Sequence, residues 1–165
     1  MSDLTDITFT INGESHTIRA EPRRLLVDAI REECGLTGTH IGCEHGVCGA
    51  CTILLDDQPV RSCLMFAVQA EGARLRTVEG LADGDKLHPI QQAFWDNHGL
   101  QCGFCTPGFL MLAVSILERN PDIGEAELRD ALSSNLCRCT GYQNIIKSVL
   151  AAAAGARSWP KSAAR

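Results

Sequence analysis

The sequence has few aromatic residues, no excess of basic residues and no long apolar segment. Aromatic side chains make up only 5% of its 165 residues, and there is a single tyrosine. The 15 lysines and arginines are outnumbered by 20 aspartates and glutamates, which gives a formal net charge of −5. A general nucleic-acid binder needs a basic face, and a membrane-spanning helix needs about 20 apolar residues in a row. We therefore expect neither nucleic-acid binding nor membrane insertion.

Two kinds of specialised segment are also missing. The first six residues include two acids and no basic or apolar stretch, so we expect no secretion signal and predict a cytoplasmic location. The chain contains no glycine-rich loop of the G-x-G-x-x-G or G-x-x-x-x-G-K type. Such loops hold the phosphates of nucleotides and dinucleotides. The sequence therefore predicts no nucleotide-binding loop in this chain.

Cysteine, in contrast, is abundant, and it dominates the interpretation of the sequence. The nine cysteines are Cys34, Cys43, Cys48, Cys51, Cys63, Cys102, Cys105, Cys137 and Cys139. A disulfide framework needs an oxidising compartment and usually an even number of cysteines. The absence of an export signal and the odd count both argue against it. Iron–sulfur clusters and structural zinc sites remain.

The first cysteine set has the spacing of a 2Fe–2S centre. Its members follow the C-x4-C-x2-C…C pattern of plant-type ferredoxins, and they are Cys43, Cys48, Cys51 and Cys63. A zinc site more often uses two short cysteine pairs separated by a spacer. Three ligands within nine residues, followed by one distant ligand, suit a cluster better. We therefore predict that this set binds a 2Fe–2S cluster.

Small residues between these cysteines support the same interpretation. An oxidised 2Fe–2S centre with its four thiolates carries about two negative charges, which backbone N–H groups aimed at the sulfurs can stabilise. Gly46, Gly49 and Ala50 allow the backbone to turn and to approach the sulfurs closely. We therefore expect the loop over residues 38–51 to surround the cluster with N–H donors.

The second cysteine set is less specific by itself. Its members form a C-x2-C pair followed later by a C-x-C pair, and they are Cys102, Cys105, Cys137 and Cys139. Zinc could use this spacing, but beside the first set a second 2Fe–2S cluster is the better interpretation. The remaining Cys34 precedes Gly35 near the end of a predicted helix, and we expect it to be a buried, inert thiol.

Hydrophobic periodicity divides the chain into two domains. In residues 1–80, alternating apolar residues, an Asn12-Gly13 turn and a second hairpin near 52–64 predict a small mixed sheet crossed by one helix. A further short strand is predicted at 75–78. We expect Cys63 to lie on a strand of the second hairpin and face the cluster loop.

From about residue 81 the apolar spacing becomes helical. Four helices are predicted in residues 81–155, the first beginning at Pro89 and ending at Gly99, the second capped by Thr106, the third at 125–132 and the fourth at 142–154. The two cysteine pairs of the second set would lie at the starts of the second and fourth helices. Residues 156–165 are predicted to form a loose basic tail, with docking on a partner as the alternative.

The segments around both cysteine sets resemble a known family. The strings at 37–51, 101–108 and 136–142 are similar to those of the small iron–sulfur subunit of the molybdenum hydroxylases, which include xanthine dehydrogenase, aldehyde oxidoreductase and carbon monoxide dehydrogenase. All eight predicted ligand cysteines match, and the resemblance covers about residues 5–155. It implies an α+β protein with an N-terminal β-grasp, plant-ferredoxin-like domain followed by an all-α four-helix bundle domain.

The resemblance also implies a function and partners. The chain would be a non-catalytic electron-transfer subunit carrying electrons from a molybdopterin Mo centre in a large subunit, through two 2Fe–2S clusters, to FAD in a medium subunit. The three chains would form a heterotrimer or a dimer of heterotrimers. By the same resemblance, Gln101 and Cys139 would contact the pterin. Two other hypotheses remain at this stage, which are a free-standing electron carrier and a zinc-stabilised interaction protein.

Overall fold

The alternating apolar residues near the N-terminus form the hairpin at one edge of a five-stranded sheet. In this computed structural model, which describes residues 4–159, strand β1 spans Thr5–Ile11 and strand β2 spans Glu14–Ala20. The two strands pair antiparallel, as predicted. Asn12 and Gly13 connect them with φ angles of 53° and 88°, values that match a two-residue type I′ turn.

Three further strands and one short helix complete the N-terminal domain. Helix α1 covers Leu26–Asp28 and continues directly into a π-helical turn over Ala29–Glu33. The remaining strands are β3 (Thr52–Leu55), β4 (Gln58–Arg61) and β5 (Arg74–Arg76), and the sheet order is β2-β1-β5-β3-β4. Strands β1 and β5 are parallel, whereas the other neighbours are antiparallel. Leu26 and Ile30 are fully buried with the apolar residues of the sheet, and the predicted mixed sheet crossed by one helix is confirmed.

Cys63 does not lie on a strand, contrary to the prediction. Strand β4 ends at Arg61, and Cys63 lies in a 3₁₀ turn over Ser62–Leu64. The backbone N–H and the hydroxyl of Ser62 both donate to the carbonyl of Cys51, at 3.3 and 2.8 Å. These two bonds hold the chain beside Cys51 just where it leaves the sheet, so that Cys63 follows in a turn.

The second half of the chain forms the four predicted helices. They are α2 (Pro89–Asp96), α3 (Thr106–Arg119), α4 (Glu125–Leu132) and α5 (Gln143–Ala153). Helix α3 is the centre of this domain, because every residue from 108 to 117 is buried. The cap of α3 is Cys105 rather than Thr106. His98, with φ 54°, rather than Gly99, takes the left-handed conformation that follows α2.

The segment after α5 is packed against the helical domain where the structure describes it. Residues 156–158 form a 3₁₀ turn, and Ala156 and Trp159 are buried in the helical core. Trp159 meets the ring of His88 edge to face, with centroids 4.6 Å apart. Residues 156–159 therefore do not form the loose tail that was predicted, and residues 160–165 lie outside the described part of the chain.

Direct contacts join the two domains. Arg76 of β5 makes two hydrogen bonds of 3.0 Å with the carboxylate of Glu118 in α3, and Leu54 of β3 belongs to the helical core. A Cβ on Gly108 of α3 would lie 2.2 Å from the carbonyl oxygen of Gly49. The first cysteine loop thus lies directly on helix α3. Between residues 4 and 159, none of the helices has the length and apolarity that crossing a membrane requires.

Candidate metal centres

The loop ahead of β3 surrounds the first cysteine set with backbone donors. The N–H of Cys48 donates to the sulfur of Cys43 at 3.3 Å. The N–H groups of Cys48 and His45, in that order, lower the pKa of Cys43 to about 6, and Val47 contributes further. Gly46 and Gly49 have φ angles of 81° and 74°, which a glycine adopts without strain. The predicted arrangement of N–H groups around the sulfurs is therefore present.

The four thiols of the first set form two pairs. The Cys43 and Cys48 thiols are hydrogen-bonded and half-buried. The Cys51 and Cys63 thiols form the second pair and are buried. Burial and then the hydrogen bond to Cys51 raise the pKa of Cys63 to about 11, although an N–H from Gly46 opposes this. The set thus has an outer and an inner pair of sulfurs.

The second set shows the same division. The sulfurs of Cys102 and Cys139 are 3.5 Å apart, and both residues are exposed. Cys105 and Cys137 pair further inside. Burial and then the hydrogen bond to Cys137 raise the pKa of Cys105 to about 12. The sulfurs of both sets therefore lie in pairs. Within residues 4–159, no three potential metal-binding side chains are arranged to hold a single metal ion.

Tyr142 organises the loop of the second set, a role that the sequence analysis missed. It lies just before α5 with φ 67°, a left-handed conformation that is strained for a bulky residue. Its hydroxyl accepts a 3.1 Å hydrogen bond from the N–H of Cys137. Thr140 accepts from the N–H of Tyr142 and contacts the sulfur of Cys137, both at 3.1 Å. No pattern in the sequence could have shown that this tyrosine folds back on the cysteine loop.

Thr140 also affects the ionisation of Cys137. Burial raises the pKa of this thiol, but hydrogen bonds from the Thr140 hydroxyl and from the N–H groups of Thr140 and Cys139 outweigh it, so that the pKa is lowered. The neighbouring Cys105 has a raised pKa. One member of the inner pair is thus prepared for the thiolate form that binds iron.

The loops of the two sets touch each other. His40 contacts the carbonyl of Phe104 at 2.7 Å, and their rings stack with centroids 5.0 Å apart. The N–H of Leu136 donates to the carbonyl of Cys48 at 2.9 Å. These contacts place both cysteine sets at one end of the interface between the domains, an arrangement that the linear sequence did not predict.

Gln101 and Cys34 lie in contrasting surroundings. Gln101 is exposed next to the exposed Cys102, so its side chain is accessible beside the outer pair of the second set. Cys34 belongs to neither set, and it packs against the core of the N-terminal domain. Burial, followed by the charge of Glu33, raises the pKa of Cys34, which keeps this thiol protonated.

Two family models match the two halves of the chain. The model described as "2Fe-2S iron-sulfur cluster binding domain" matches residues 9–82, and that described as "[2Fe-2S] binding domain" matches residues 77–150. The nicotine 6-hydroxylase small subunit of Paenarthrobacter nicotinovorans is 54% identical over 149 residues, which are 90% of each chain. The chain belongs to the family of small iron–sulfur subunits of the molybdenum hydroxylases.

Further relatives support this membership of the small-subunit family. The caffeine dehydrogenase subunit gamma of Pseudomonas sp. (strain CBB1) is 56% identical over 146 residues, which are 87% of each chain. The crystal structure of quinoline 2-oxidoreductase from Pseudomonas putida 86 contains a chain that matches with a TM-score of 0.92 and 55% identity. The match covers 95% of this chain and 98% of that one. The predicted β-grasp and helical domains, the two 2Fe–2S-binding domains and the role as a non-catalytic oxidoreductase subunit are confirmed.

Proposed function

We propose that this chain carries electrons from a molybdopterin Mo centre in a large partner subunit to FAD in a medium partner subunit. The observation that carries the proposal is the grouping of eight thiols into two sets whose loops are joined by the Leu136–Cys48 hydrogen bond. Each 2Fe–2S cluster, when bound, supplies one-electron redox chemistry. Two such centres in contacting loops form a relay rather than a catalytic site.

The sulfur pairs suggest which cysteines share an iron. A 2Fe–2S cluster has two irons, each of which takes two protein ligands. In the first set, Cys43 and Cys48 would hold one iron, and Cys51 and Cys63 the other. In the second set, the pairs would be Cys102 with Cys139 and Cys105 with Cys137. The paired thiols and the N–H donors around them fit this group, because the donors offset the negative charge of the liganded thiolates.

A docking surface for a partner subunit is supported by exposure near the second set. Cys102 and Cys139 are exposed, and Phe104 and Leu136 beside them leave 48% and 49% of their surfaces accessible. Apolar surface of this kind is suited to a protein partner. We propose that the large subunit docks here, with Gln101 and Cys139 against its pterin.

The other end of the relay would lie beside the first set. Val47 and Leu64 are 56% and 61% exposed next to this loop, and Leu64 packs on Gly46. We propose that this surface faces the FAD-containing subunit, in a heterotrimer or a dimer of heterotrimers. The predicted cytoplasmic location belongs to the same proposal.

Purification from the native host tests this function. The tagged chain should bring down two larger partners, with about four Fe and one Mo per copy, and the reduced complex should show two distinct 2Fe–2S signals by electron paramagnetic resonance (EPR). An iron-containing chain with no partner and no Mo would instead identify a free-standing carrier. A colourless chain that contains zinc would contradict both functions.

The contact with the pterin has its own test. In the intact complex, Gln101→Ala should slow reduction of the second cluster by substrate, and Gln92→Ala should not. Gln92 is a suitable control because it is exposed and its side chain donates to Asp96 of its own helix, at 2.8 Å. Equal reduction rates in both variants and the wild type would remove Gln101 from the proposed path, whereas the relay itself would stand.

A further inference from the structure

Asn135 is a buried amide at the junction between the two cysteine loops. Asn135 is 1% exposed, and it lies two positions before Cys137. The side-chain Nδ2 donates to the carbonyl of Gly49 at 3.2 Å. Within residues 4–159, its buried Oδ1 finds no hydrogen-bond partner. A buried polar atom without a partner destabilises a fold, so this site calls for an explanation beyond core packing.

The neighbours of Asn135 are also attached to the N-terminal domain. The carbonyl of Ser134 accepts a 2.7 Å hydrogen bond from Arg61, and the N–H of Leu136 bonds Cys48. Three consecutive residues thus bind the opposite domain immediately before the Cys137–Cys139 segment. Of the three attachments, that of Asn135 is the buried side-chain bond.

The carbonyl that Asn135 binds is itself fixed. Thr52, at the start of β3, donates to the Gly49 carbonyl from its hydroxyl at 2.6 Å and from its N–H at 3.2 Å. A Cβ on Gly49 would lie 2.2 Å from Asn135 Oδ1, which shows how closely the loop and the amide approach. The amide therefore bonds a rigid point one residue after the predicted ligand Cys48.

We propose that Asn135 is a positioning residue that fixes the spacing and orientation of the two cluster loops. This inference rests on the proposed relay function. A leucine at this position has the same number and branching of side-chain heavy atoms and would remove the unpaired oxygen, but it is bulkier and could not donate to Gly49. What asparagine adds is the directional bond, which holds the Leu136–Cys48 contact in register.

The test compares Asn135→Leu with the wild type in the full chain carrying both clusters. With both clusters reduced, their magnetic interaction splits the EPR signals, and this splitting falls steeply as the clusters move apart. We expect Asn135→Leu to retain its iron, to show a reduced splitting and to slow electron transfer between the clusters about tenfold, the lower end of the loss of activity that follows removal of a group supporting a metal site.

Ser148→Ala is the matched control. Ser148 is also fully buried in the helical domain, and its hydroxyl makes a 2.6 Å bond to the carbonyl of Asn144 within its own helix. This variant should lose stability without a change in splitting. If Asn135→Leu loses iron, Asn135→Ala, which adds no bulk, takes its place.

Two results would overturn the inference. One is an unchanged splitting and transfer rate in the iron-replete Asn135 variant. The other is loss of iron from both Asn135 variants, because the residue would then be needed for cluster binding rather than for spacing. A wild-type chain that binds no iron would instead refute the proposed function, so the two failures are distinguishable.

Discussion

The backbone N–H of Leu136 donates to the backbone carbonyl of Cys48 at 2.9 Å. Cys48 is a predicted ligand of the first cluster, and Leu136 directly precedes Cys137, a predicted ligand of the second. One hydrogen bond therefore links two ligand residues through short stretches of covalent backbone. This link gives the two domains a shared structural element on which the proposed electron relay would depend.

The assignment of ligands predicts opposite results for two cysteine substitutions. Cys105→Ser should abolish or strongly alter the signal of the second cluster, because Cys105 lies in the inner pair with Cys137. Cys34→Ser should leave both cluster signals intact, since Cys34 is partly buried against the core of the N-terminal domain instead. Iron analysis and EPR of the reduced chain measure both outcomes. Loss of a cluster in Cys34→Ser would refute the ligand assignment.

Removing the hydroxyl of Tyr142 should make the second cluster labile. Tyr142→Phe keeps the ring against Phe109 but removes the acceptor for the N–H of Cys137. We expect iron to leave the second cluster about tenfold faster in the presence of a chelator, the scale found for outer-shell partners. The first cluster provides an internal control, and its release rate should stay unchanged. Equal rates for the second cluster in variant and wild type would show that the bond is dispensable.

A methyl group on Gly108 should weaken the packing between the two domains. Alanine is favoured over glycine within a helix by about 1 kcal/mol, but here its Cβ would lie 2.2 Å from the Gly49 carbonyl. The Gly49 backbone cannot move away without a cost in free energy. We therefore expect the overpacking cost of about 1–3 kcal/mol to exceed the gain in helix propensity. Gly108→Ala should therefore lower the midpoint of urea unfolding.

Gly155→Ala is the control for this substitution. A Cβ there would meet nothing closer than 3.9 Å, and its φ of −105° suits any residue. We expect unchanged or slightly increased stability. A Gly108→Ala variant as stable as Gly155→Ala would contradict the close contact between α3 and the first cysteine loop.

Protonation of His88 should lower the stability of the folded chain in mild acid. Burial lowers its pKa below 6.5; the charge of Arg76 acts in the same direction, and Glu118 opposes it. As the pH falls below about 6.5, the unfolded chain therefore takes up the proton before the folded chain does, and folding becomes less favourable. The proton also competes with the hydrogen bond from Ile90 to Nδ1.

The contribution of His88 can be measured by difference. Asparagine caps a helix well and does not titrate, so His88→Asn should retain the cap of α2. Its thermal unfolding midpoint should decrease less than that of the wild type between about pH 7 and pH 5. Parallel decreases in the two proteins would show that His88 does not carry the acid sensitivity.

Local patterns in the sequence were sufficient for much of the fold. The alternation at Ile7, Phe9 and Ile11 and the Asn12-Gly13 turn specify the first hairpin, because both depend on near neighbours in the chain. The third helix is found at the predicted residues, Glu125–Leu132. The prediction that Cys63 lies on a strand was wrong. Two hydrogen bonds from Ser62 to the carbonyl of Cys51 hold the chain where it enters a turn, and a local hydrophobic pattern carries no information about such bonds.

The sequence by itself determined the number and grouping of the thiols. The covalent backbone fixes how far apart the cysteines lie along the chain, and the ligands supplied by one cluster loop must be close in sequence. The sequence also determined the succession of a sheet domain and a helical domain, because hydrophobic periodicity is a local property. Only the tertiary structure decided which sulfurs pair, that Tyr142 and Asn135 support the loops, and that the loops meet at Cys48 and Leu136. These relationships join residues far apart in the chain, and they exist only once helix α3 has packed against strand β3 and the first cysteine loop.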